Sequence, residues 1–533
     1  MPSDLRAALR FAKGLRNFAA RPLSLSTSRE YLTSQLHERE AHFLEILRKA
    51  VVANPASPYN PLFQRAGIDY EDMVQTVGQV GVEGALRRLY EAGVWVTADE
   101  FKGHCSIQRD KLEIPARPNA FDNPITDPTL EVSSGGSRGH GRRLVIDLKA
   151  VANDAAYHLL FLESFGLLDR PLALYRPAPP GSAGIKKALH QIKGGQRTAA
   201  WFSQTRNSLT TRRLRYWLFV ELMVWLTRLS GRRMPAPVYT PLEKASLVAR
   251  WLAAQRRAGK PGVLDTTASA AVGVCLAAKE EKLDISGSFL RVGGEPFTPA
   301  KARIMQEMGC RAVAHYSMSE VGHVGIACAD PVTLDDVHFL SDKMALIQPL
   351  AAQDGGRGGA FFLTSLLALG PRVMINVESG DSGVYEERDC ACSFGALGFR
   401  GHVHTIRSYE KLTAGGMHFL GYRLIELLEE VLPRKFGGAP VHYQLVESEE
   451  DGITTVYLCI DPRVGPIDEA AVLTTIYQSL ERFSPGHRMM ADHWRDAQTV
   501  KILRRECYTT PSSKVNSLHI LREPIRKSSG ETK

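Results

Sequence analysis

Apolar residues recur at roughly helical spacing through the first 102 residues, and the spacing predicts helices over most of 28–102. Ala53-Asn-Pro-Ala-Ser-Pro-Tyr59 breaks that pattern with two prolines. A polar stretch rich in Pro, Asn and Asp (115–128) then leads into a glycine cluster. Beyond it, helix-like stretches alternate with short apolar runs such as Arg372–Val377 (RVMINV), the pattern of an α/β body built on layered sheets. The most apolar run, Tyr216–Leu226, spans 11 residues with Glu221 inside it. A bilayer crossing needs roughly 20 such residues, so this run predicts a buried or interfacial helix. Near Arg407–Lys411 the character changes. An alternating strand, Thr454–Ile460, and a helix, Glu469–Phe483, predict a small α+β domain of about 120 residues, whose last ordered feature is Thr510-Pro-Ser-Ser-Lys514 before a fraying basic terminus.

Length supports the same division. A chain of 533 residues exceeds the roughly 250–300 at which single cores stop growing. The expected partition is an N-terminal extension (1–30), a large domain (31–406) and a small C-terminal domain (407–533). With 44% hydrophobic and 23% charged residues, disordered and fibrous classes are excluded. Eight cysteines in so long a chain cannot form a dense disulfide framework, which points to a reducing, cytoplasmic setting.

Charge is local. The formal net charge is +9, while residues 186–233 alone carry eleven cations against Glu221. That stretch surrounds the most apolar run, a combination suited to an anionic membrane surface or an acidic partner; a solvated basic rim around a buried helix has the same composition. The first 30 residues, with Arg6, Arg10, Lys13, Arg16 and Arg21 against Asp4, read as a cationic amphipathic helix. A mitochondrial transit peptide, a peripheral anchor and a solvated helix share that composition. Nucleic acid is not an expected partner.

Ser133-Ser-Gly-Gly-Ser-Arg-Gly-His-Gly141 packs four glycines and three hydroxyls into nine residues, with Arg138, Arg142 and Arg143 adjacent. Successive backbone N–H groups of such a loop converge on an anion, and serine hydroxyls and arginines add donors and charge. No Gly-Lys-Ser/Thr ending follows, so it is not a P-loop; a flexible hairpin tip shares the composition.

Further motifs follow in order: Gly293-Gly-Glu295, Ala314-His-Tyr-Ser-Met-Ser-Glu320, Ser379-Gly-Asp-Ser-Gly383 and Lys514. Over about residues 35–520 the chain resembles the adenylate-forming superfamily, and within it phenylacetate–coenzyme A ligases. That resemblance implies an α/β fold with a large N-terminal domain of layered β-sheets and helices and a small mobile α+β C-terminal domain. It implies a phosphate loop at Ser133, Ser134, Gly135, Gly136, Ser137 and Gly139, and an adenine-side turn at Gly293, Gly294 and Glu295. Tyr316 would stack on adenine, Ser319 would contact phosphate or carboxylate oxygens, and Glu320 would ligate Mg2+. Asp381 would take the ribose hydroxyls, Arg407 would sit at the domain hinge, and Lys514 would be the adenylation lysine. The implied reaction is ATP-dependent conversion of a small carboxylic acid to acyl-AMP, then transfer to a thiol, coenzyme A first, with a carrier-protein thiol or an amine as alternative acceptors. A homodimer is compatible with the family.

The pattern departs from the family at three places. The phosphate loop lacks a Thr-Thr-Gly core, Ser317 stands where glycine is usual, and the hinge reads Ile406-Arg-Ser-Tyr-Glu410. Such erosion is what an inactive nucleotide-binding scaffold at a membrane would display, whereas retained Glu320, Asp381 and Lys514 favour an enzyme. Separately, Cys390 and Cys392, with Cys328 and His338 upstream and His323 as an alternative ligand, have the softness and number for tetrahedral Zn2+; buried free thiols are the competing reading.

Overall fold

The computed structural model describes residues 13–115, 117, 119–126, 130–133, 143–179, 183–204, 211–232, 234–318, 320–349, 360–408, 422–450, 453–483, 495, 500–509 and 514–521. Residues 13–102 are mainly helical, as their periodicity predicts. Leu25–His37 is opened by a capping box between Ser24 and Thr27, and Tyr70–Glu91 by one between Asp69 and Asp72. Two antiparallel pairs follow, β1 (Ile107–Arg109) with β2 (Leu112–Ile114), and β3 (Leu130–Ser133) with β4 (Arg143–Ile146).

Among the described residues one 12-stranded sheet organises the molecule. Its strands are β5 (Leu172–Tyr175), β6 (Thr198–Ser203), β7 (Val238–Tyr239), β8 (Val263–Thr266), β9 (Phe289–Gly293), β10 (Arg311–Met318), β11 (Gly322–Ala327), β12 (Val337–Phe339), β13 (Met344–Ile347), β14 (Ala360–Ser365), β15 (Val377–Glu387) and β16 (Gly401–Ser408). Their order is β7-β6-β5-β8-β9-β10-β11-β12-β16-β15-β14-β13. From β7 to β10 neighbours run parallel; from β10 onward they run antiparallel.

The parallel half is covered on both faces, which is why β5, β8 and β9 are buried along their whole length. Leu264, Leu290 and Val292 pack under helices Ser246–Arg257, Ala268–Glu280 and Pro299–Glu307. On the opposite face Val263, Phe289 and Val313 meet helix Leu148–Ser164. β10 belongs to both halves, and its ladder carries a bulge at Tyr316/Ser317. Bulges of this kind re-aim side chains.

A second sheet, ordered β19-β18-β17-β20, comprises β17 (Tyr443–Glu450), β18 (Ile453–Ile460), β19 (Val500–Arg504) and β20 (Leu518–Leu521). Helix Glu469–Phe483 packs Val472, Ile476 and Leu480 onto it. Both elements expected in this region are present. Two expectations are corrected. Arg372–Val377 is not a strand: Arg372 makes an isolated bridge to Asp122, Val377 opens β15, and Val373, Met374 and Ile375 are buried between them. The chain does not end its ordered course at Lys514, because β20 follows and pairs with β17 in parallel, Leu445 opposite Leu518. Pairing to a remote strand leaves no local periodicity to read.

The apolar run lies within helix Thr211–Leu229. Val220, Met223 and Val224 turn into a core shared with Leu15 and Phe18, while Leu218 (53%), Trp225 (56%) and Leu229 (67%) are exposed. No helix among the described residues is long and apolar enough to cross a membrane.

Candidate functional site

At the carboxyl ends of β9 and β10, where open α/β sheets characteristically bind ligands, lies a cavity of about 300 Å3. Gly294, Glu295, Tyr316 and Asp381 line it from the large sheet's side. Leu424, Leu428 and the segment Lys514–Leu518 line it from the second sheet's side.

Gly294 follows β9 with φ +83°, a left-handed conformation that favours glycine, and a Cβ there would lie 3.0 Å from Lys514 Cε and 3.1 Å from Nζ. The lysine thus passes directly over the turn. Gly293 is glycine for another reason: a Cβ would lie 2.6 Å from the ring of His315, its partner across the β9–β10 ladder. Glu295 is held by Ser269, which donates from its N–H (2.8 Å) and its hydroxyl (2.7 Å). The Val515 N–H donates back to the Ser269 hydroxyl at 3.3 Å.

Tyr316 donates its phenol to Asp381 Oδ2 at 2.7 Å. Burial and the Asp381 carboxylate push that phenol well above its ordinary range, so it remains a donor. Asp381 is shaped by its own turn, its N–H donating to Ser379 Oγ at 3.1 Å. Arg407, in β16, pairs through Nη1 with Asp335 Oδ2 at 3.1 Å; Asp335 also accepts from the N–H groups of Thr405 and Ile406, both at 2.9 Å. Thr405 has φ 55°, a strained conformation for a β-branched residue that these two bonds hold in place.

Lys514 is positioned by residues that no motif announced. Gln444, fully buried, donates to the carbonyls of Tyr508 (3.0 Å) and Asn516 (2.7 Å) and accepts from the Tyr508 N–H (2.8 Å), clamping the segment on both sides of the lysine. Glu429 accepts from Ser517 Oγ at 2.7 Å, from Lys301 Nζ at 2.9 Å and from Thr298 Oγ1 at 2.5 Å. It ties the second unit to helix Pro299–Glu307 through an ion pair exposed by only 3% and 2%. Asp335, Ser269, Gln444 and Glu429 are common residue types in unremarkable local sequence, and only their partners reveal their work.

Other expected residues are placed as follows. Ser133 closes β3 opposite Arg143, the first residue of β4. Ser134, Gly135, Gly136, Ser137 and Gly139 lie outside the described residues, as does Ser319. Glu320 is half-buried beyond the end of β10, near enough to Tyr316 and Lys186 to influence both electrostatically, but it does not line the cavity.

The cysteine cluster joins Cys328 to Cys390, 62 residues apart in sequence. Cys328 and Cys390 Sγ are 3.3 Å apart, and His338 Nε2 is 2.9 Å from Cys392 Sγ. Ligand atoms of Cys328, His338, Cys390 and His402 all lie within 4.8 Å of one another. His338 Nδ1 faces the Phe399 carbonyl at 3.0 Å and His402 Nδ1 faces Asp336 at 2.9 Å, the outer contacts that orient metal-binding imidazoles. The Cys328 thiol and the His338 ring hold Cys392 down, to about 2. His323 is not part of this group: its Nε2 lies 3.1 Å from Lys187 Nζ, and His402 takes the place expected for it. Of the basic stretch, Lys187 is buried and Lys193 donates to the Arg21 carbonyl at 2.6 Å, while Arg206, Arg233 and the side chains of Arg212, Arg213 and Arg215 lie outside the described residues.

No family model matches the chain, and no curated protein matches it. Among solved structures it is similar to 2-hydroxyisobutyryl-CoA ligase in the postadenylation state with R3-HIB-AMP, at 15% identity and a TM-score of 0.49, covering 94% of this chain and 91% of that one. Acetoacetyl-CoA synthetase from Streptomyces lividans is similar at 12% identity and a TM-score of 0.43, covering 76% of this chain and 55% of that one. The amide bond synthetase McbA from Marinactinospora thermotolerans is similar at 12% identity and a TM-score of 0.40, covering 95% and 98%.

Proposed function

We propose that this chain is an ATP-dependent acyl-adenylate-forming ligase that activates a small carboxylic acid and passes the acyl group to a thiol, coenzyme A in the first instance. One observation carries the reading: Lys514, more than 200 residues downstream of Gly294, lies against that turn in a cavity shared with Glu295 and the Tyr316–Asp381 pair. Adenylation brings an anionic carboxylate to a polyanionic phosphate, so a cation held at the point of contact stabilises the developing charge. Lys514 meets that need, and Gln444 and Glu429 hold its segment there. Asp381, with Tyr316 donating to it, presents a carboxylate suited to sugar hydroxyls. Glu320 offers a hard oxygen ligand of the kind Mg2+ takes, and such an ion would neutralise phosphate charge. ATP–pyrophosphate exchange over a panel of carboxylic acids tests the reading; exchange with none of them sinks it.

A structural zinc ion is a second element of the proposal, favoured by the approach of Cys328, Cys390, Cys392, His338 and His402. Three thiols and two oriented imidazoles exceed the four ligands that tetrahedral zinc requires. A third element is peripheral contact with anionic lipid. Exposed Trp217, Leu218, Leu222, Trp225 and Leu229 crowd one helix, and exposed Lys13, Arg16 and Arg228 belong to elements that meet in the same small core. Apolar side chains flanked by cations suit an anionic interface, with tryptophan favoured at its boundary.

A further inference from the structure

A second cluster takes no part in this account. On the sheet face covered by helices Leu148–Ser164 and Ala183–Lys193, three cations converge on one carboxylate. Arg176 Nε donates to Asp265 Oδ1 at 2.7 Å, while Lys187 Nζ lies 3.6 Å and Arg291 Nε 3.7 Å from Oδ2. The Arg176, Asp265 and Arg291 side chains are more than nine-tenths buried, and that of Lys187 is 11% exposed. Four buried histidines surround them. His158 Nδ1 is 3.1 Å from Arg291 Nη1, His323 Nε2 is 3.1 Å from Lys187 Nζ, and the His323 ring lies 5.6 Å from those of both His190 and His315. Nearby Asp154 favours the charged forms of Lys187 and Arg291, but it is shared with Lys343, which holds it at 3.0 Å.

The charges do not cancel. Burial would raise the Asp265 carboxyl, but Lys187, Arg176 and Arg291 hold it well below its usual range. Burial, reinforced by Arg291, holds the Lys187 ammonium well below its own range, and burial above all holds His158, His190, His315 and His323 well below theirs. Even with Lys187 neutral, two guanidinium groups face one carboxylate. Arg176 Nη2, Arg291 Nη2, His158 Nε2, His315 Nδ1 and His323 Nδ1 are buried with no hydrogen-bond partner. Leaving buried charge and donors uncompensated costs several kcal/mol, so a cluster of this kind is built for something that compensates it.

Its location says what. Arg176 Nη1 lies 3.4 Å from the Gly293 carbonyl, and His315 both lines the nucleotide-side cavity and fills the space beside Gly293. Lys514 packs on the next residue, Gly294, the first residue of the turn after β9. We propose that Arg176, Lys187 and Arg291 bind a distal carboxylate of the acid being activated, so that the substrate is a short dicarboxylic acid. The inference rests on the adenylation reading for its orientation: the proximal carboxylate meets Lys514, and the distal one receives the guanidinium N–H groups, which suit carboxylate geometry. An anion placed there also favours the charged form of Lys187, so binding takes up a proton.

Calorimetry on the full chain without nucleotide tests this, using matched pairs: succinate against butyrate, glutarate against pentanoate, and inorganic phosphate alone. The expected result is at least tenfold tighter binding of one diacid than of its partner, proton uptake on comparing two buffers of different ionisation enthalpy, and loss of the preference in Lys187→Met. Equal affinity within each pair, or phosphate binding as tightly as the diacid, overturns the inference. Should Lys187→Met fail to fold, the wild-type comparison still decides. Pyrophosphate exchange on the same panel separates the two readings. Diacid preference in binding without exchange by any acid would remove adenylation and leave the anion site, whereas equal exchange by monoacids would remove the diacid and leave adenylation.

Discussion

Two adjacent glycines show how much one position can conceal. Gly293 and Gly294 form a motif whose resemblance implies a shared role beneath adenine, yet their neighbours differ. A side chain on Gly293 would strike the His315 ring at 2.6 Å, and one on Gly294 would strike Lys514. Lys514 is the residue on which the proposed chemistry turns. Lys514→Ala is expected to lower pyrophosphate exchange roughly 10²–10³-fold, the usual effect of deleting one transition-state contact, with ATP affinity and Tm little changed because Glu295, Tyr316 and Asp381 line the cavity from the large sheet's side. Near-normal exchange by the variant would remove Lys514 from the mechanism. Asp335 illustrates the converse. Its carboxylate takes two backbone N–H groups and Arg407, a role written in β16 geometry and in nothing adjacent to it in sequence.

Elements carry two further predictions. The Cys390–Cys392 segment reaches Cys328 after β11, His338 in β12 and His402 in β16, so three strands converge on one group of ligands. Protein purified without added zinc is expected to hold about one Zn2+ per chain, and Cys390→Ser/Cys392→Ser to release it and lower Tm by several degrees. Thiol titration that finds all cysteines reactive in metal-free folded protein would leave only buried free thiols. Among the described side chains of helix Thr211–Leu229, Val220, Met223 and Val224 are packed, while Trp217, Leu218, Leu222, Trp225 and Leu229 are exposed. Sedimentation with phosphatidylserine-containing vesicles is expected to exceed that with phosphatidylcholine alone and to fall steeply between 0.1 and 1 M salt, as the Debye length contracts from about 10 Å to about 3 Å. Trp217→Ser/Trp225→Ser should weaken it tenfold or more. Salt-independent binding, or burial of these tryptophans by self-association instead, would set the lipid aside.

At the scale of the whole molecule, the cavity exists only because the two sheets are brought together, and Glu429 is the buried link. Glu429→Ala leaves the Lys301 ammonium buried without its partner, a change that costs roughly 3–5 kcal/mol. It is expected to slow adenylation about 100-fold or more while ATP binding to the large sheet changes little, and to raise hydrogen exchange in β20. Lys301→Met/Glu429→Leu should recover most of the stability, since two apolar groups bury without penalty. Unaltered kinetics in the single variant would show that closure does not depend on this pair. The amino-acid sequence alone determined the α/β class, the helix Glu469–Phe483, the strand leading to Ile460 and the order of the motifs, because periodicity and turn chemistry are local. It also pointed to Cys328, His338, Cys390 and Cys392 through the softness of their side chains. Tertiary structure decided the rest: that His402 and not His323 joins those thiols, that Lys187 turns inward to Asp265 instead of outward to solvent, and that β20 continues past Lys514. Each depends on contacts between residues tens to hundreds of positions apart, made when strands pair and helices cover them, and no pattern of neighbouring residues encodes which partner will be met.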